Sequence, residues 1–170
     1  MDLIEAIRTR RSIRRFKQTN IPDNLIHSLI NSARYAPSGH NTQPWEFIIV
    51  KDKRVKEQLA KTHEWSRFVD DAPVCITVLA NEKQAPSYFE IDAACATQNL
   101  LLAAHGLGLG ACWIAVYDLQ NPNFEKHVRN VLNVPPHIRV IAMVPIGYPD
   151  EKAAPRRHRE IDEIIHFDKY

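Results

Sequence analysis

The first part of the sequence that could do chemistry is a basic segment near the N-terminus. Six of the ten residues from Arg8 to Lys17 are cationic, namely Arg8, Arg10, Arg11, Arg14, Arg15 and Lys17. This number exceeds what the macrodipole of a preceding helix would favour at its C-terminus. Adjacent guanidinium groups beside the Ser12 hydroxyl form a set of donors that suits a terminal phosphate. A solvated charge cluster, which is the simplest explanation, and a nucleic-acid-binding arm are the alternatives, and the residues alone leave all three open.

A second candidate is the polar segment 36–45, with the sequence APSGHNTQPW. Pro37 ends a preceding helical pattern, and Pro44 disfavours a helical backbone at Gln43. Gly39 allows either a close backbone approach or a positive φ angle. We call residues 37–43 the rim. The pattern predicts either a rigid rim that grips a small polar ligand or a well-capped turn between a helix and a strand.

No familiar arrangement of nucleophile, general base or metal ligands occurs in the sequence. The eight histidines are scattered without metal-ligand spacing, and the G-x-S-x-G, Cys–His and P-loop patterns are missing. The segment 106–111, GLGLGA, matches the dinucleotide-binding fingerprint, but a predicted helix precedes it and a strand follows, which is the reverse of the required order. Gly106 is instead expected to end the helix. An enzyme without an evident acid, base or nucleophile can let a cofactor do the chemistry.

Length and composition predict one globular domain over residues 1–170, with 45% hydrophobic and 25% charged residues. The net charge of +2 does not favour a nucleic-acid or membrane partner for the domain as a whole. Cys75, Cys95 and Cys112 lie far apart in apolar runs and are expected to be reduced core residues. Because the N-terminus also shows no signal-peptide pattern, we expect a cytoplasmic protein.

Hydrophobic periodicity predicts the elements that must position these segments. Helices are expected after Asp2, from Asp23 towards Pro37, after Asp52, over 88–105 and around 124–132, and strands over 45–50, 73–80, 111–116 and 138–146. This order predicts an α+β architecture with helices flanking one sheet. The helix 88–105 is apolar around most of its circumference, yet Asp92, Gln98, Asn99 and His105 favour burial within protein over burial in lipid. The tail, residues 150–170, carries a second arginine cluster and apolar residues, and we expect it to extend onto a neighbouring subunit.

Five motifs in sequence order closely resemble the FMN-dependent nitroreductase family. They are RRSIRRF at 10–16, APSGHNTQPW at 36–45, DAP at 71–73, GLG at 106–108 with CW at 112–113, and GYP at 147–149 before the basic tail. Each motif is weak alone, but the five together cover nearly the whole chain. The length also matches the compact members of that family.

The resemblance implies a three-layer α+β fold with a mixed or antiparallel central sheet, and an intertwined homodimer with two FMN molecules at the interface. The resemblance implies that Arg10, Arg11 and Ser12 hold the FMN phosphate. It also implies further phosphate contacts from the tail, which we expect at Arg157 and Arg159, with Arg156 as the alternative. Arg14 would lie near the pyrimidine edge of the flavin, where a cation stabilises charge on the reduced ring. Residues expected at the flavin of the other subunit are Pro37, Ser38, Gly39 and Asn41. The backbone of Ile114 and Ala115 would pass close to the isoalloxazine.

The activity that the resemblance implies is hydride transfer from NADH or NADPH to FMN, then electron transfer to a nitroaromatic, quinone or similar acceptor by a ping-pong route. The flavin N5 would be the reacting atom, so no side chain is predicted as a catalytic acid or base. Larger family members place an asparagine and a lysine before the position of Asp71, where this chain has Trp65 and Phe68. Those aromatics are expected to cap or stack on the substrate side of an open pocket. A dehalogenase-like or flavin-modifying reaction on the same fold is the enzymatic alternative, and a basic-arm nucleic-acid binder is the non-enzymatic one.

Overall fold

The structure, a computed structural model that describes residues 1–170, is an antiparallel sheet with helices on both faces. The elements in chain order are α1 (Leu3–Thr9), α2 (Asp23–Ala33), β1 (Trp45–Val50), α3 (Lys53–Leu59), β2 (Val74–Asn81), α4 (Phe89–Gly106), β3 (Gly110–Ala111), β4 (Ile114–Ala115), α5 (Pro122–Leu132) and β5 (Ile138–Gly147). Short 3₁₀ turns lie at Gly39–Asn41, Glu64–Val69 and Ile161–Glu163. None of the helices combines the length and the apolar character needed to span a bilayer.

The strands are ordered β1-β2-β5-β3, and β4 also pairs with β5. Along the buried strand β2, alternate residues such as Ile76 and Val78 join the core cluster beneath α2 and α4. Cys75 and Leu79 face the opposite side and join a second cluster with residues of α3 and α5. The sheet therefore separates two helical layers, and the predicted three-layer α+β architecture is confirmed.

Strand β5 contains one extra residue relative to β2. Leu79 pairs with Val140 and Val78 pairs with Ala142, so Ile141 forms a β-bulge between them. The Ile141 carbonyl accepts hydrogen bonds from the N–H groups of Val116 and Tyr117, at 3.1 and 3.2 Å. The bulge thus fixes the chain that follows β4.

The predicted helix starts are confirmed at two aspartates. The Asp2 carboxylate accepts from the Glu5 N–H at 2.9 Å, and the Asp52 carboxylate accepts from the Val55 N–H at 3.0 Å. These caps satisfy backbone donors that the first helical turn leaves without a partner.

Three expected boundaries are wrong. Helix α2 ends at Ala33 instead of reaching Pro37, because a turn follows in which the Ala36 N–H bonds to the Ala33 carbonyl. The expected strand 111–116 is interrupted at Cys112, which lies opposite Pro145, a residue without an N–H to donate. Helix α4 includes Gly106, and the residue with a positive φ after it is Gly108, at 76°.

Candidate functional site

The basic segment runs along the edge of the sheet as an additional, irregular strand. Ser12 forms a parallel bridge with Ala111, and Phe16 forms an antiparallel bridge with Pro149. The Ile13 N–H donates to the Ala111 carbonyl at 3.0 Å. Because this backbone is tied to β3 and to the end of β5, the neighbouring arginines are anchored at their Cα atoms.

Two glycines allow the basic segment to approach the sheet. A Cβ at Gly110 would lie 2.7 Å from the Cβ of Ile13, and one at Gly147 would lie 2.9 Å from the Cβ of Phe16. Both distances are shorter than a carbon–carbon contact of about 3.5 Å. Gly110, which lies two residues after the GLG motif, and Gly147 of the GYP motif are therefore positions where only glycine fits without a shift of the basic segment.

Glu151 fastens the basic segment to the start of the tail. Its Oε1 accepts hydrogen bonds from the backbone N–H groups of Arg14 and Arg15. The Asp150 N–H donates to the Arg15 carbonyl at 2.9 Å. These bonds bring the two arginine-rich parts of the sequence to the same corner of the fold.

At this corner lies a polar cavity of about 490 Å³, which we call the basic cavity. Its lining residues are Arg10, Arg11, Ser12, Arg14, Glu151, Lys152, Ala153, Ala154, Pro155 and Arg156. Burial lowers the pKa of the Arg10 guanidinium, and the positive charges of Arg156 and Arg11 lower it further. Such mutual repulsion is relieved when an anion binds between the cations.

The arginines near the basic cavity differ in their own contacts and in whether they line it. Arg11 Nη1 donates to the carbonyls of Arg8 and Arg10, at 2.8 and 2.9 Å, which holds its guanidinium in place. Of the tail arginines, Arg156 lines the basic cavity, whereas Arg157 and Arg159 are not among its lining residues. Arg159 instead forms an ion pair with Glu163 within the tail.

A second cavity of about 280 Å³, the apolar cavity, shares Arg14 with the first. Its lining residues are Arg14, His63, Trp65, Phe68, Cys112, Trp113, Ile114, Ala115, Asp118 and Phe124. The Arg14 guanidinium carbon lies 6.0 Å from the centroid of the Phe68 ring, at the outer limit of a cation–π contact. Arg14 therefore places a positive charge where a polar and an apolar cavity meet.

Aromatic rings form one wall of the apolar cavity. The His63 ring lies 4.9 Å from the Phe124 ring and 5.8 Å from the Trp65 ring, measured between centroids. His63 Nε2 is 3.2 Å from the Ala115 carbonyl oxygen, which connects this wall to β4. The sequence analysis missed His63 and Phe124, and the only available signal was the neighbouring Trp65 in an irregular segment.

Cys112 is one of the residues that line the apolar cavity. Burial raises the pKa of its thiol, although the positive charge of Arg14 acts in the opposite direction. The side chain is thus a neutral, compact surface group of the cavity at physiological pH.

The rim has an unusual backbone. His40, Asn41 and Gln43 have positive φ angles of 54°, 56° and 49°, a region that residues with a side chain adopt at a cost. Local bonds hold this conformation, including one from the Gln43 N–H to Ser38 Oγ at 3.0 Å. Conformations of this kind persist where the surrounding structure fixes them and are concentrated at ligand-binding sites.

Within one chain, the structure brings together some of the expected site residues and leaves others apart. Together in the two adjoining cavities lie Arg10, Arg11, Ser12, Arg14, Ile114 and Ala115. The four rim residues Pro37, Ser38, Gly39 and Asn41 line neither cavity. Gly39 and Asn41 instead line two separate surface cavities, of about 210 and 330 Å³, which we call the rim cavities.

Comparison with known proteins gives the identity of this fold. The model of the nitroreductase family matches residues 7–65 and 60–148. The chain belongs to the nitroreductase family. The matched residues contain the basic segment, the rim, the GLG motif and the first two residues of the GYP motif.

Individual relatives align with most or all of the chain. A protein of Methanothermobacter thermautotrophicus, named provisionally as an NADH dehydrogenase/NAD(P)H nitroreductase, is 37% identical over 172 residues, covering 100% of this chain and 88% of its own. The solved structure of an FMN-dependent nitroreductase from Clostridium difficile superimposes with a TM-score of 0.89 at 31% identity, covering 99% of this chain and 100% of that one. An iodotyrosine deiodinase from Thermotoga neapolitana is 32% identical over 175 residues, covering 88% of this chain and 89% of its own.

Proposed function

We propose that this protein is an FMN-dependent oxidoreductase that takes hydride from NADH or NADPH and reduces a nitroaromatic, quinone or similar acceptor by a ping-pong route. The observation that carries the proposal is the pair of adjoining cavities, one basic and one apolar, that share Arg14. FMN has the same division, because it joins a charged phosphate to a flat, largely apolar ring system.

The residues present fit this cofactor. Arg10, Arg11 and Ser12 would hold the phosphate, since guanidinium and hydroxyl groups are its strongest partners in proteins. The position of Arg156 in the basic cavity supports it as the tail contact, while Arg157 and Arg159, the residues expected from the family resemblance, stay open as further contacts. The apolar cavity would take the ring, with Ile114 and Ala115 offering backbone groups beside it.

When bound, FMN supplies a ring that accepts hydride at N5 and passes electrons on. Arg14 would keep a positive charge at the ring, which stabilises negative charge on it. Trp65 is 69% exposed at the mouth of the apolar cavity, where an aromatic acceptor can stack on it. The roles of these side chains are to bind, to orient and to tune charge, and we assign none of them as a proton donor.

We further propose one domain over residues 1–170 that acts as a homodimer in the cytoplasm, with the tail lying on the partner. Several large apolar side chains of the termini are exposed, including Leu3 at 68% and Phe167 at 85%. An exposed apolar surface of this kind favours a protein partner. A partner would also explain the separation of the rim from the two cavities, since each rim could then serve the cofactor of the other subunit.

Reductive deiodination is the second candidate function, favoured by the similarity to the iodotyrosine deiodinase of Thermotoga neapolitana. Both candidates use the same cofactor site and differ only in the acceptor. A panel of acceptors that contains nitroaromatics, quinones and 3-iodotyrosine therefore separates them.

The decisive experiment is the visible spectrum of the purified protein, recorded before and after addition of NADH or NADPH without oxygen. The proposal predicts a bound-flavin band that either nucleotide bleaches. A protein that lacks flavin and does not bind added FMN would refute the proposal, and a bound flavin that neither nucleotide bleaches would refute the NAD(P)H half-reaction.

The phosphate assignment has its own test in the variant Arg11→Ala. Loss of a charged hydrogen bond of about 1.5–3 kcal/mol should weaken FMN binding roughly 10- to 100-fold. Riboflavin, which has no phosphate, should bind the variant and the wild type equally. The affinities are measured by quenching of flavin fluorescence, with the exposed Arg54→Ala as a control, and an unchanged FMN affinity in Arg11→Ala would contradict the assignment.

A further inference from the structure

We propose that Asp92 is a positioning residue for the flavin, because its buried carboxylate fixes the Gly39 peptide and hence the conformation of the rim. The inference rests on the proposed function, in which the rim contacts the cofactor of the other subunit. Asp92 lies in the first turn of α4, and the sequence analysis used it only as evidence against a membrane span.

The contact between Asp92 and the rim is direct. The side chain of Asp92 is 95% buried, with a relative exposure of 5%. Its Oδ1 accepts a hydrogen bond from the Gly39 N–H at 3.1 Å. Its Oδ2 is also buried and has no hydrogen-bond partner in the chain. The Gly39 bond is therefore the one hydrogen bond that the chain makes to this carboxylate.

The setting favours a charged acceptor at this place. The first turn of a helix carries unpaired N–H groups and a partial positive charge, which stabilise a carboxylate there. A hydrogen bond to an ionised acceptor is roughly twice as strong as one between neutral groups. The first turn of α4 thus supports an acceptor strong enough to hold a loop in a costly conformation.

Gly39 is also held by packing against the start of α4. A Cβ at this position would lie 2.8 Å from Cδ2 of Tyr88, the residue that caps the helix. Since the Gly39 backbone is pressed against Tyr88 and bonded to Asp92, it is fixed both by shape and by charge.

Gly39 is the residue from which the strained part of the rim begins. His40 and Asn41, both with positive φ, follow directly. The Gly39 carbonyl accepts from the Thr42 N–H at 3.1 Å, and the Ser38 carbonyl accepts from the Asn41 N–H at 3.0 Å. Rotation of the Gly39 peptide would break this turn and redirect Ser38 and Asn41, the two rim side chains expected at the flavin.

Asp92 itself lines neither the basic cavity nor the apolar cavity, and it lines neither of the two rim cavities beside Gly39 and Asn41. Its effect on the cofactor would therefore pass through the rim. In this inference the rim acts on the part of the flavin that FMN and riboflavin share, whereas the arginines act on the phosphate, and this difference predicts a specific signature. Loss of Asp92 should weaken binding of FMN and riboflavin by the same factor, unlike loss of Arg11.

The test compares Asp92→Ala and Asp92→Asn with Glu90→Gln, which removes an exposed acid from the same helical turn. Dissociation constants for FMN and riboflavin are measured by fluorescence quenching, together with the visible band of the bound flavin and the thermal midpoint. Asp92→Ala should weaken both flavins about tenfold and shift the flavin band towards that of free flavin. Asp92→Asn should weaken both flavins by a smaller factor, roughly two- to fivefold, since its neutral amide oxygen can still accept from Gly39. Glu90→Gln should stay within twofold of the wild type.

Flavin affinities of Asp92→Ala within twofold of the wild type would overturn the inference, whatever happens to the thermal midpoint. An effect on FMN alone would overturn it as well, because the change would then act at the phosphate. If Asp92→Ala does not fold, Asp92→Asn decides: its neutral acceptor should raise the riboflavin dissociation constant two- to fivefold, and an unchanged constant overturns the inference. A wild-type protein that binds neither flavin would instead refute the proposed function itself.

Discussion

The substitution Gly110→Ala tests whether the close approach of the basic segment to the sheet positions the cofactor site. The added Cβ would lie 2.7 Å from both Cβ and Cγ2 of Ile13. Because an ordinary carbon–carbon contact is about 3.5 Å, the basic segment must move away by about 0.8 Å. The Cβ of Ile13 cannot move out of the way by a change of rotamer, so the backbone of Ile13 has to move.

This displacement has a stability cost that can be worked out from the contacts. Ile13 N and Ala111 O are 3.0 Å apart, and a further 0.8 Å would exceed the usual limit of a hydrogen bond, about 3.2 Å. Overpacking costs about 1–3 kcal/mol and the lost bond about 1 kcal/mol. For a protein of this size the sum corresponds to a fall in the thermal midpoint of roughly 4–16 °C.

The matched control is Gly106→Ala, since a Cβ at Gly106 meets nothing within 4 Å. Thermal unfolding followed by circular dichroism on flavin-free protein gives the stability, and flavin fluorescence gives the FMN affinity. Gly110→Ala should lower both, whereas Gly106→Ala should lower neither. Equal midpoints and equal FMN affinities for the two variants would refute the argument that segment 10–16 depends on a glycine at position 110.

Two further perturbations test the frame around the site. Glu125 is buried and pairs with Arg139. Glu125→Gln should leave Arg139 without its main counter-charge and lower the free energy of unfolding by about 3 kcal/mol. Urea unfolding measures this free energy, and a loss under about 1 kcal/mol would contradict the expectation. His105 Nε2 lies 2.8 Å from Thr9 Oγ1, and its pKa is lowered from 6.5 by burial and then by Arg10 and Arg11, with Glu5 opposing. The imidazole of His105 binds a proton less readily in the folded chain than in the unfolded chain. Its contribution to folding stability is therefore complete above about pH 6.5 and is lost as the pH falls through the lowered pKa. The thermal midpoint of the wild type should therefore fall more steeply below pH 6.5 than that of His105→Gln, and parallel pH profiles would rule out this role.

The parts of the fold that the sequence predicts well are those with a strong local signal. Strand β2 is a continuous apolar run, α4 is apolar on most sides, and the aspartates before α1 and α3 are recognisable caps. Residues 10–14 stand out by charge alone. These signals depend on neighbours in the chain, so they can be found without knowing the tertiary structure.

The features that the sequence analysis missed depend on contacts between distant residues. Nothing near Cys112 indicates a strand break, because the cause is Pro145 on the opposing strand. His63 and Phe124 are 61 positions apart in the chain, and only the fold brings their rings into edge-to-face contact in one cavity. The placement of Arg156 in the basic cavity likewise depends on Glu151, which turns the start of the tail back towards Arg14.

The bulge at Ile141 makes the length of β5 a functional constraint. The extra residue lets Val140 and Ala142 each keep the correct face towards β2, while its carbonyl holds the two N–H groups that follow β4. Deleting Ile141 would leave a regular ladder with no pair out of step, yet it would release the chain that leads from Ala115 to Asp118 along the apolar cavity. Insertions and deletions are usually harmless in loops and harmful in strands. Here a one-residue deletion inside a strand would keep the ladder in register, and its damage would appear at the cavity wall and in the core, which would lose the buried Ile141 side chain.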